Sequence, residues 1–281
     1  MADGYREWGS TLPGAVVWAR DERAATGPAS NGPSNGPSNG PGNGPGYTRV
    51  LPDGCLDLIR GPGGLVVAGP DRVAHLAPAT PGALWVGLRL PPGVGPAVLG
   101  VPASELRDRR VRLADLWGDA AAARLERRLA GAEAGGAGEA GEAAEAGAVL
   151  GDLARARLER TADGDRRGQV RLDPAMLRLV ALLRRGAPVG RAADALGIGA
   201  RQLHRRSLVA FGYGPKTLAR ILRLATALEL ARSGLPPARA AADAGYADQP
   251  HLSREVRALA GVPLGQLLGR ASAGGGAGSA A

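Results

Sequence analysis

The spacing of apolar residues in the first third of the chain is that of β-strands. Short apolar segments, separated by glycine and proline, run over Ala15–Arg20, Leu65–Gly69 and Ala83–Leu90. In the last of them every second residue is leucine or valine, which places the apolar side chains on one face of a strand. Short strands with frequent turns are typical of small sandwiches and barrels. Residues 1–118 are therefore predicted to form a β-rich domain, cupin-like or a small barrel, with flanking helices.

Helical patterns begin after Gly95. The segment Asp119–Gly131 starts with a capping aspartate, and a second helix is predicted to run up to residue 160. Between them, residues 131–147 are acidic and rich in glycine, so we expect a flexible connection there. The two helices could pair as a hairpin that mediates dimerisation, or they could cover the sheet, and the sequence leaves both interpretations open.

Three segments carry few apolar residues. Residues 27–46 repeat an Asn-Gly-Pro pattern with serine, and residues 271–281 are glycine, alanine and serine. Both are predicted to be disordered because they have little to bury. Residues 161–172 are predicted to link the N-terminal half to a C-terminal domain.

Residues 173–270 are predicted to be helical throughout. Asp173 precedes Pro174, the pairing of an N-cap with a proline at the first helical position. Pro215 opens a long helix. Its apolar stripe consists of Leu218, Ile221, Leu222, Ala225 and Leu228.

This helical region contains a repeat of itself. Arg191–Gly197 reads RAADALG and Arg239–Gly245 reads RAAADAG. In each, an alanine before the glycine allows a second helix to pack closely, and the glycine allows a turn with positive φ. Each unit ends on a glycine and a nearby proline, at Gly212–Pro215 and Gly261–Pro263. The repeat predicts two helix-turn-helix units joined by one long helix.

The positive charge of the chain is concentrated in this same region. The formal net charge is +9, and residues 171–270 contain 16 Lys and Arg against 6 Asp and Glu. A basic domain beside a nearly neutral one is typical of a polyanion binder with a separate second module. No apolar run reaches the roughly 20 residues of a membrane span, and the N-terminus has no secretory pattern. We therefore expect a cytoplasmic protein.

The paired units resemble the DNA-binding domain of AraC-type transcriptional regulators, over about residues 180–268. The segments VLPDGCLDLI and GVPASELRDRRVRLADLWG resemble a sensor-type domain of poorly defined function that precedes this DNA-binding domain in one branch of the family. The resemblance implies a sequence-specific transcriptional regulator, without enzyme activity or cofactor. Its implied partner is double-stranded DNA, with a small-molecule effector and a homodimer as further candidates.

The resemblance also assigns contacts to individual positions. In the family, the second helix of each unit enters the major groove with its N-terminal residues at base edges. The expected base contacts are Arg201, His204, Arg205, Gln249, His251, Ser253 and Arg254. Side-chain chemistry agrees, since arginine suits guanine and glutamine suits adenine. The expected phosphate contacts are Arg206, Lys216, Arg220, Arg223 and Arg257.

Two positions depart from the family pattern. Ser207 stands where an aromatic residue is usual, so a core contact should be missing unless Leu208 or Phe211 supplies it. Pro250 stands where a small or polar residue is usual. In the first helical turn behind Asp248, proline lacks an N–H that would have had no helical partner, but it also removes a side chain that could touch DNA.

Two alternatives to a transcriptional regulator depend on Cys55. It is the single cysteine, which excludes an internal disulfide or a multi-cysteine zinc site. An enzyme or thiol sensor could use Cys55 with His75 or Asp57, although a buried structural cysteine is the expected role. His75 has no companions that would make a metal site. A further alternative is a DNA-binding architectural protein without sequence preference.

Overall fold

The structure is a computed structural model that describes residues 4–23, 46–135, 138–162 and 170–269. The loop predicted at 27–46, apart from Gly46, and the predicted tail at 271–281 lie outside these residues, as does most of the predicted linker. In the described part of the chain, a β-rich N-terminal half with flanking helices is followed by a helical C-terminal half. The predicted fold class is confirmed.

The N-terminal half contains two antiparallel sheets. Its strands are β1 (Gly4–Gly9), β2 (Val16–Asp21), β3 (Tyr47–Val50), β4 (Leu56–Gly61), β5 (Gly64–Ala68), β6 (His75–Pro78), β7 (Leu84–Leu90) and β8 (Arg110–Arg112). Six of them form one sheet in the order β1-β2-β7-β4-β5-β8, and β3 pairs with β6 in a separate two-stranded sheet. The period-two pattern holds in β7, where Val86, Leu88 and Leu90 are fully buried.

Helices cover one face of the large sheet. They are α1 (Gly95–Leu99), α2 (Ala103–Leu106), α3 (Leu113–Trp117), α4 (Asp119–Gly135) and α5 (Gly138–Ala162). Helix α5 packs on β2 and β7, and α4 packs on α5 and β5. Of the two roles left open by the sequence, the structure shows these helices covering the sheet.

The prediction of a flexible connection at 131–147 is wrong for the part of this segment that the structure describes. Helix α4 continues to Gly135 and α5 begins at Gly138. Ala143 and Ala146 are fully buried against the sheet. A Cβ on Gly147 would lie 2.4 Å from Val17 Cγ1. The small residues therefore let α5 approach the strands closely, and the alanines among them favour helix.

The C-terminal half contains the two predicted helix-turn-helix units. Its helices are α6 (Pro174–Arg184), α7 (Val189–Leu196), α8 (Ala200–Phe211), α9 (Pro215–Arg232), α10 (Pro237–Asp243), α11 (Gln249–Ala260) and α12 (Leu264–Leu267). The first unit is α7 with α8, the second is α10 with α11, and α9 contacts all four of these helices. Gly197 and Gly245 adopt positive φ in the two turns, at 63° and 79°.

Each unit has its own apolar core. Phe211 and Leu203 lie in the core of the first unit, together with α6 and the start of α9. Leu252 and Val256 lie in the core of the second, together with the end of α9. Ala193 and Ala241, the repeated alanines, are both buried. In the described part of the chain, no helix is long and apolar enough to cross a membrane.

Candidate functional site

The N-terminal part of each second helix faces solvent. In α8, the predicted base-contacting residues Arg201, His204 and Arg205 are all exposed, while Leu203 points into the core. This division follows the helical period, because residues three or four apart share a face. Gly199, the residue before α8, provides no side-chain cap.

In α11 the same part of the helix is more constrained. Gln249 and Arg254 are exposed, whereas His251 and Ser253 are half-buried. The His251 ring lies edge-on to Tyr246, with ring centroids 5.2 Å apart. This contact limits the orientations in which the imidazole could reach a base.

The start of α11 is capped by a side chain. Asp248 Oδ1 accepts a hydrogen bond from the His251 amide at 2.6 Å. Pro250 lies in the first turn, where its missing N–H costs no helical hydrogen bond. The departure at this position is therefore compatible with a well-formed helix.

The predicted phosphate-contacting residues fall into two groups. Lys216 and Arg257 are exposed. Arg206 Nε donates to Asp173 Oδ2 at 2.7 Å, and Arg220 donates through Nε and Nη2 to Glu255 at 2.9 and 3.0 Å. A phosphate contact by either of these two arginines would have to share or displace a carboxylate.

These two ion pairs join helices, a role that sequence reasoning missed. Arg206 ties α8 to Asp173, the N-cap of α6, and Arg220 ties α9 to α11. The hydrogen bonds from Arg220 hold the pKa of Glu255 below its usual value. Burial alone would raise the pKa of Asp173, but the hydrogen bonds and charge of Arg206, together with hydrogen bonds from the amides of Ala175 and Met176, outweigh burial and lower it. Asp173 was recognisable as a cap, whereas its partner 33 residues away was not.

Arg223, the remaining predicted phosphate contact, is half-buried. Its guanidinium lies 5.5 Å from the centroid of the Tyr246 ring, at the edge of the second unit. Its contact with a phosphate, like those of the other predicted residues, stays a prediction.

Ser207 is fully buried in the middle of α8. Its hydroxyl has no hydrogen-bond partner among the described residues. Phe211, one turn later, is also fully buried and supplies an aromatic side chain to the core of the first unit. The replacement expected at the sequence level is thus present.

The N-terminal half holds the C-terminal ends of both second helices. Arg107 Nη1 donates to Gly212 O, just after α8, at 2.9 Å. Arg49 Nη1 donates to Ala260 O, at the end of α11, at 2.8 Å. Because the last carbonyls of a helix lack helical partners and carry partial negative charge, an arginine is well suited to this position.

A cavity of about 300 Å³ lies between the two sheets of the N-terminal half. It is on the face of the large sheet opposite to α5, and β3 and β6 cover it. Trp18 and Trp85 line it from β2 and β7, and Asp57 and Arg89 line it from β4 and β7. Sequence reasoning did not predict this cavity.

Arg89 is the centre of a charged group in the cavity wall. Its guanidinium lies 3.0 Å from Glu7 and 3.5 Å from both Asp53 and Asp57. The indole N–H of Trp18 donates to Asp57 Oδ1 at 2.7 Å. Burial, which is only partly offset by Arg89, raises the pKa of the Asp57 carboxyl.

Cys55 and His75 line the same cavity. Burial, together with the Asp53 carboxylate, raises the pKa of the Cys55 thiol well above its usual value. A nucleophilic or redox-sensing cysteine needs the opposite shift, because the thiolate is the reactive form. Burial also lowers the pKa of His75. No group of three potential metal ligands occurs among the described residues.

Two family models match the chain. A model described as a helix-turn-helix domain matches residues 192–270, which run from within α7 to beyond α12. A model described as a domain of unknown function, DUF6597, matches residues 38–112, which include β3 to β8. The resemblance stated from the sequence is therefore confirmed for both halves of the chain. No curated protein matches it.

Crystal structures of ToxT from Vibrio cholerae are similar to this structure. One is 11% identical, with a TM-score of 0.41, and the match covers 82% of this chain and 95% of that chain. Unsaturated fatty acid bound wild-type ToxT is 11% identical, with a TM-score of 0.39, over 80% of this chain and 88% of that chain.

Proposed function

We propose that this chain, whose residues 192–270 form an AraC-type helix-turn-helix domain of a DNA-binding transcription regulator, reads a specific DNA sequence with both of its units. The observation that carries the proposal is the shared design of the two units. Each exposes polar and basic side chains near the start of its second helix, and nine of the 16 basic residues of 171–270 lie on α8, α11 and α9, which joins them.

Base recognition is assigned to the exposed side chains near the start of α8 and α11. Arg201 and Arg205 suit the O6 and N7 atoms of guanine, and Gln249 suits the N6 and N7 atoms of adenine. Arg254 lies on α11 where Arg205 lies on α8, five residues after the first residue of the helix, and both are exposed. The remaining predicted base contacts, His204, His251 and Ser253, would add contacts of lower selectivity.

Phosphate contacts position the domain and supply much of the affinity. Lys216 and Arg257 are the best placed for this role because both are exposed and basic. Arg206 and Arg220 serve the packing of the domain through their carboxylate partners. Their contribution to DNA binding would come mainly from holding α8 and α11 in place.

The N-terminal half is proposed to regulate DNA binding. It touches the far ends of both reading helices through Arg107 and Arg49, so a change in its conformation would alter the spacing of the helices. A homodimer also stays a proposal. The raised pKa of Cys55 gives the enzyme and thiol-sensor alternatives no support.

The test is selection of binding sites from random DNA with the full chain, followed by titration of the selected duplex at near-physiological salt. We expect Arg205→Ala to cost about 1–3 kcal/mol and to relax one base position, and Lys216→Ala to weaken all sequences alike and lower the salt slope by about 1. Arg124→Ala, which removes an exposed charge from α4, is the matched control and should change neither.

Equal affinity for selected and scrambled duplexes would show an architectural DNA-binding protein instead. Enrichment of a motif that Arg205→Ala does not relax would place base recognition elsewhere in the domain.

A further inference from the structure

The cavity between the two sheets has walls that are built for a flat ligand. Trp18 lies across Gly87, its direct partner on the neighbouring strand β7. A Cβ on Gly87 would lie 2.2 Å from the Trp18 ring, and a Cβ on Gly61 would lie 2.2 Å from the Trp85 ring. Both indoles can therefore lie flat on the sheet because glycine is the residue beneath each of them.

The cavity is of ligand size and its lining is mainly apolar. Its volume of about 300 Å³ is at the lower end of the range for small-molecule sites. Tyr5 stacks on Trp18 with ring centroids 6.2 Å apart. Ile59 and Val66 add aliphatic surface from β4 and β5. This surface suits an aromatic or otherwise flat apolar body.

The charges around the cavity do not balance. Arg20 pairs with Glu22 at 2.7 Å, and Arg110 pairs with Asp71 through two hydrogen bonds, at 2.8 and 2.6 Å. Each of these two pairs is neutral, and the lowered pKa of His75 favours its neutral form.

Arg89, in contrast, faces three carboxylates at once, Glu7, Asp53 and Asp57. Of these, Asp53 and Asp57 line the cavity, so two carboxyl groups face it beside a single guanidinium that Glu7 also shares. Burial raises the pKa of the Asp57 carboxyl, and a cation bound beside it would favour its charged form. Buried charge without a counter-charge is costly, and a cation bound there would relieve that cost.

We propose that this cavity binds a small organic cation, a protonated amine or quaternary ammonium on a flat apolar body. The apolar part stacks on the indoles of Trp18 and Trp85, and the cationic nitrogen lies at the carboxylates of Asp53 and Asp57. Electron-rich indole faces attract cations in addition to burying apolar surface, so both walls of the cavity favour the same ligand class.

The cover of the cavity also contacts the second helix-turn-helix unit. Val50 and His75 are cross-strand partners in β3 and β6, and both line the cavity. Their chain neighbours face α11: Arg49 donates to Ala260 O, and the Ala74 amide donates to Leu259 O at 2.7 Å. A ligand that shifts β3 and β6 would thus move the end of α11. This effect on DNA rests on the proposed function, whereas ligand binding itself does not.

The test is calorimetric titration of the full chain with three ligands that share an indole body. Tryptamine carries an ammonium group, tryptophol a neutral hydroxyl and indole-3-propionate a carboxylate. We expect tryptamine to bind about tenfold tighter than tryptophol, because an ammonium group makes a charge-assisted hydrogen bond to a carboxylate where a hydroxyl makes a neutral one, and indole-3-propionate to bind weakest. Benzyltrimethylammonium should also bind, since it retains the cation and a flat ring.

Matched variants locate the site. Asp53→Asn removes one carboxylate at the cavity and should abolish the preference for tryptamine over tryptophol. Asp152→Asn removes an exposed carboxylate from α5 and should leave it unchanged. Because Asp57 also holds Trp18, Asp57→Asn is a second variant whose fold is checked by thermal unfolding before titration.

Binding of tryptophol or indole-3-propionate as tightly as tryptamine overturns the proposal, as does the absence of binding by both cations at millimolar concentration. Retention of the preference in Asp53→Asn and Asp57→Asn also overturns it. DNA titration with and without tryptamine is read separately: loss of all sequence preference counts against the proposed function, while the calorimetric result still decides the ligand class.

Discussion

The two helix-turn-helix units share a sequence pattern, but they begin their second helices differently. Helix α11 starts behind Asp248, whose carboxylate caps the His251 amide. Helix α8 starts behind Gly199, which offers no side-chain acceptor. The first unit also buries Ser207 without a hydrogen-bond partner among the described residues, whereas the corresponding part of α11 buries Val256.

The N-terminal half contacts the two units through different elements. Helix α2 packs against α8, and a Cβ on Gly212 would lie 2.9 Å from Ala103 O. The second unit receives instead Leu51, which is buried in its core, and the cavity-covering strands β3 and β6. The two similar units are therefore held by different parts of the N-terminal half: helix α2 packs on the first unit, and the strands that cover the cavity contact the second.

The largest expected effect is the loss of stability when a buried side chain is removed from the core of either unit. Phe211→Ala should lower the free energy of unfolding by about 3–5 kcal/mol, and Leu252→Ala by about 2–5 kcal/mol, because each empties a fully buried site. The Phe211 ring also lies 3.2 Å from where a Cβ on Gly93 would be, so its loss should loosen the N-terminal half as well. Urea unfolding, with limited proteolysis as a second readout, measures both.

Leu252→Ala is the comparison for that second readout: its core meets the N-terminal half through Leu51, so cleavage should increase around the second unit rather than around Gly93. A cost below about 1 kcal/mol for Phe211→Ala would show that Phe211 is not the aromatic anchor of the first unit.

A smaller effect tests the caps. Asp248→Ala should lower stability by about 1 kcal/mol, because the amide at the start of α11 loses its acceptor. Gly199→Ser should raise stability by a few tenths of a kcal/mol, since it gives α8 the cap that it lacks. Thermal unfolding of both variants measures this difference between the two helix starts. Near-zero effects in both variants would show that the caps do not differ in their contribution to stability.

The smallest effect concerns the buried hydroxyl. Ser207→Ala should be neutral or should stabilise the chain by up to about 1 kcal/mol, because a buried polar group without a partner is removed at almost constant volume. Ser253→Ala, in a half-buried position of α11, is the comparison. If chemical unfolding shows Ser207→Ala to be clearly destabilising, the hydroxyl has a partner, such as an ordered water.

Local patterns were enough to predict most of the elements and the design of the C-terminal half. The cap at Asp173 and the turns at Gly197 and Gly245 were predicted and are present. Residues 131–147 were predicted to be a flexible connection, because a segment rich in glycine and alanine has little to bury by itself. In the structure the same small residues allow α5 to pack closely against the sheet. The DNA contacts could be assigned only by resemblance and stay predictions.

The candidate sites needed the tertiary structure to different extents. The exposed face of α8 follows from helical period, so Arg201 and Arg205 could be placed from sequence. The cavity could not be predicted from the sequence, because its wall joins residues of β1, β2, β4 and β7. Gly87 within a strand was the available signal, because an interior glycine indicates a close approach.

The sequence by itself determined the alternation of β7, the repeated helix-turn-helix pattern and the basic C-terminal half, since each depends on residues close together in the chain. Only the tertiary structure decided that Arg49 holds the end of α11 across 211 residues, that three carboxylates surround Arg89, and that β3 and β6 both cover a cavity and touch the second unit. Such contacts arise from the packing of elements that are distant in the chain, so local sequence patterns do not predict them.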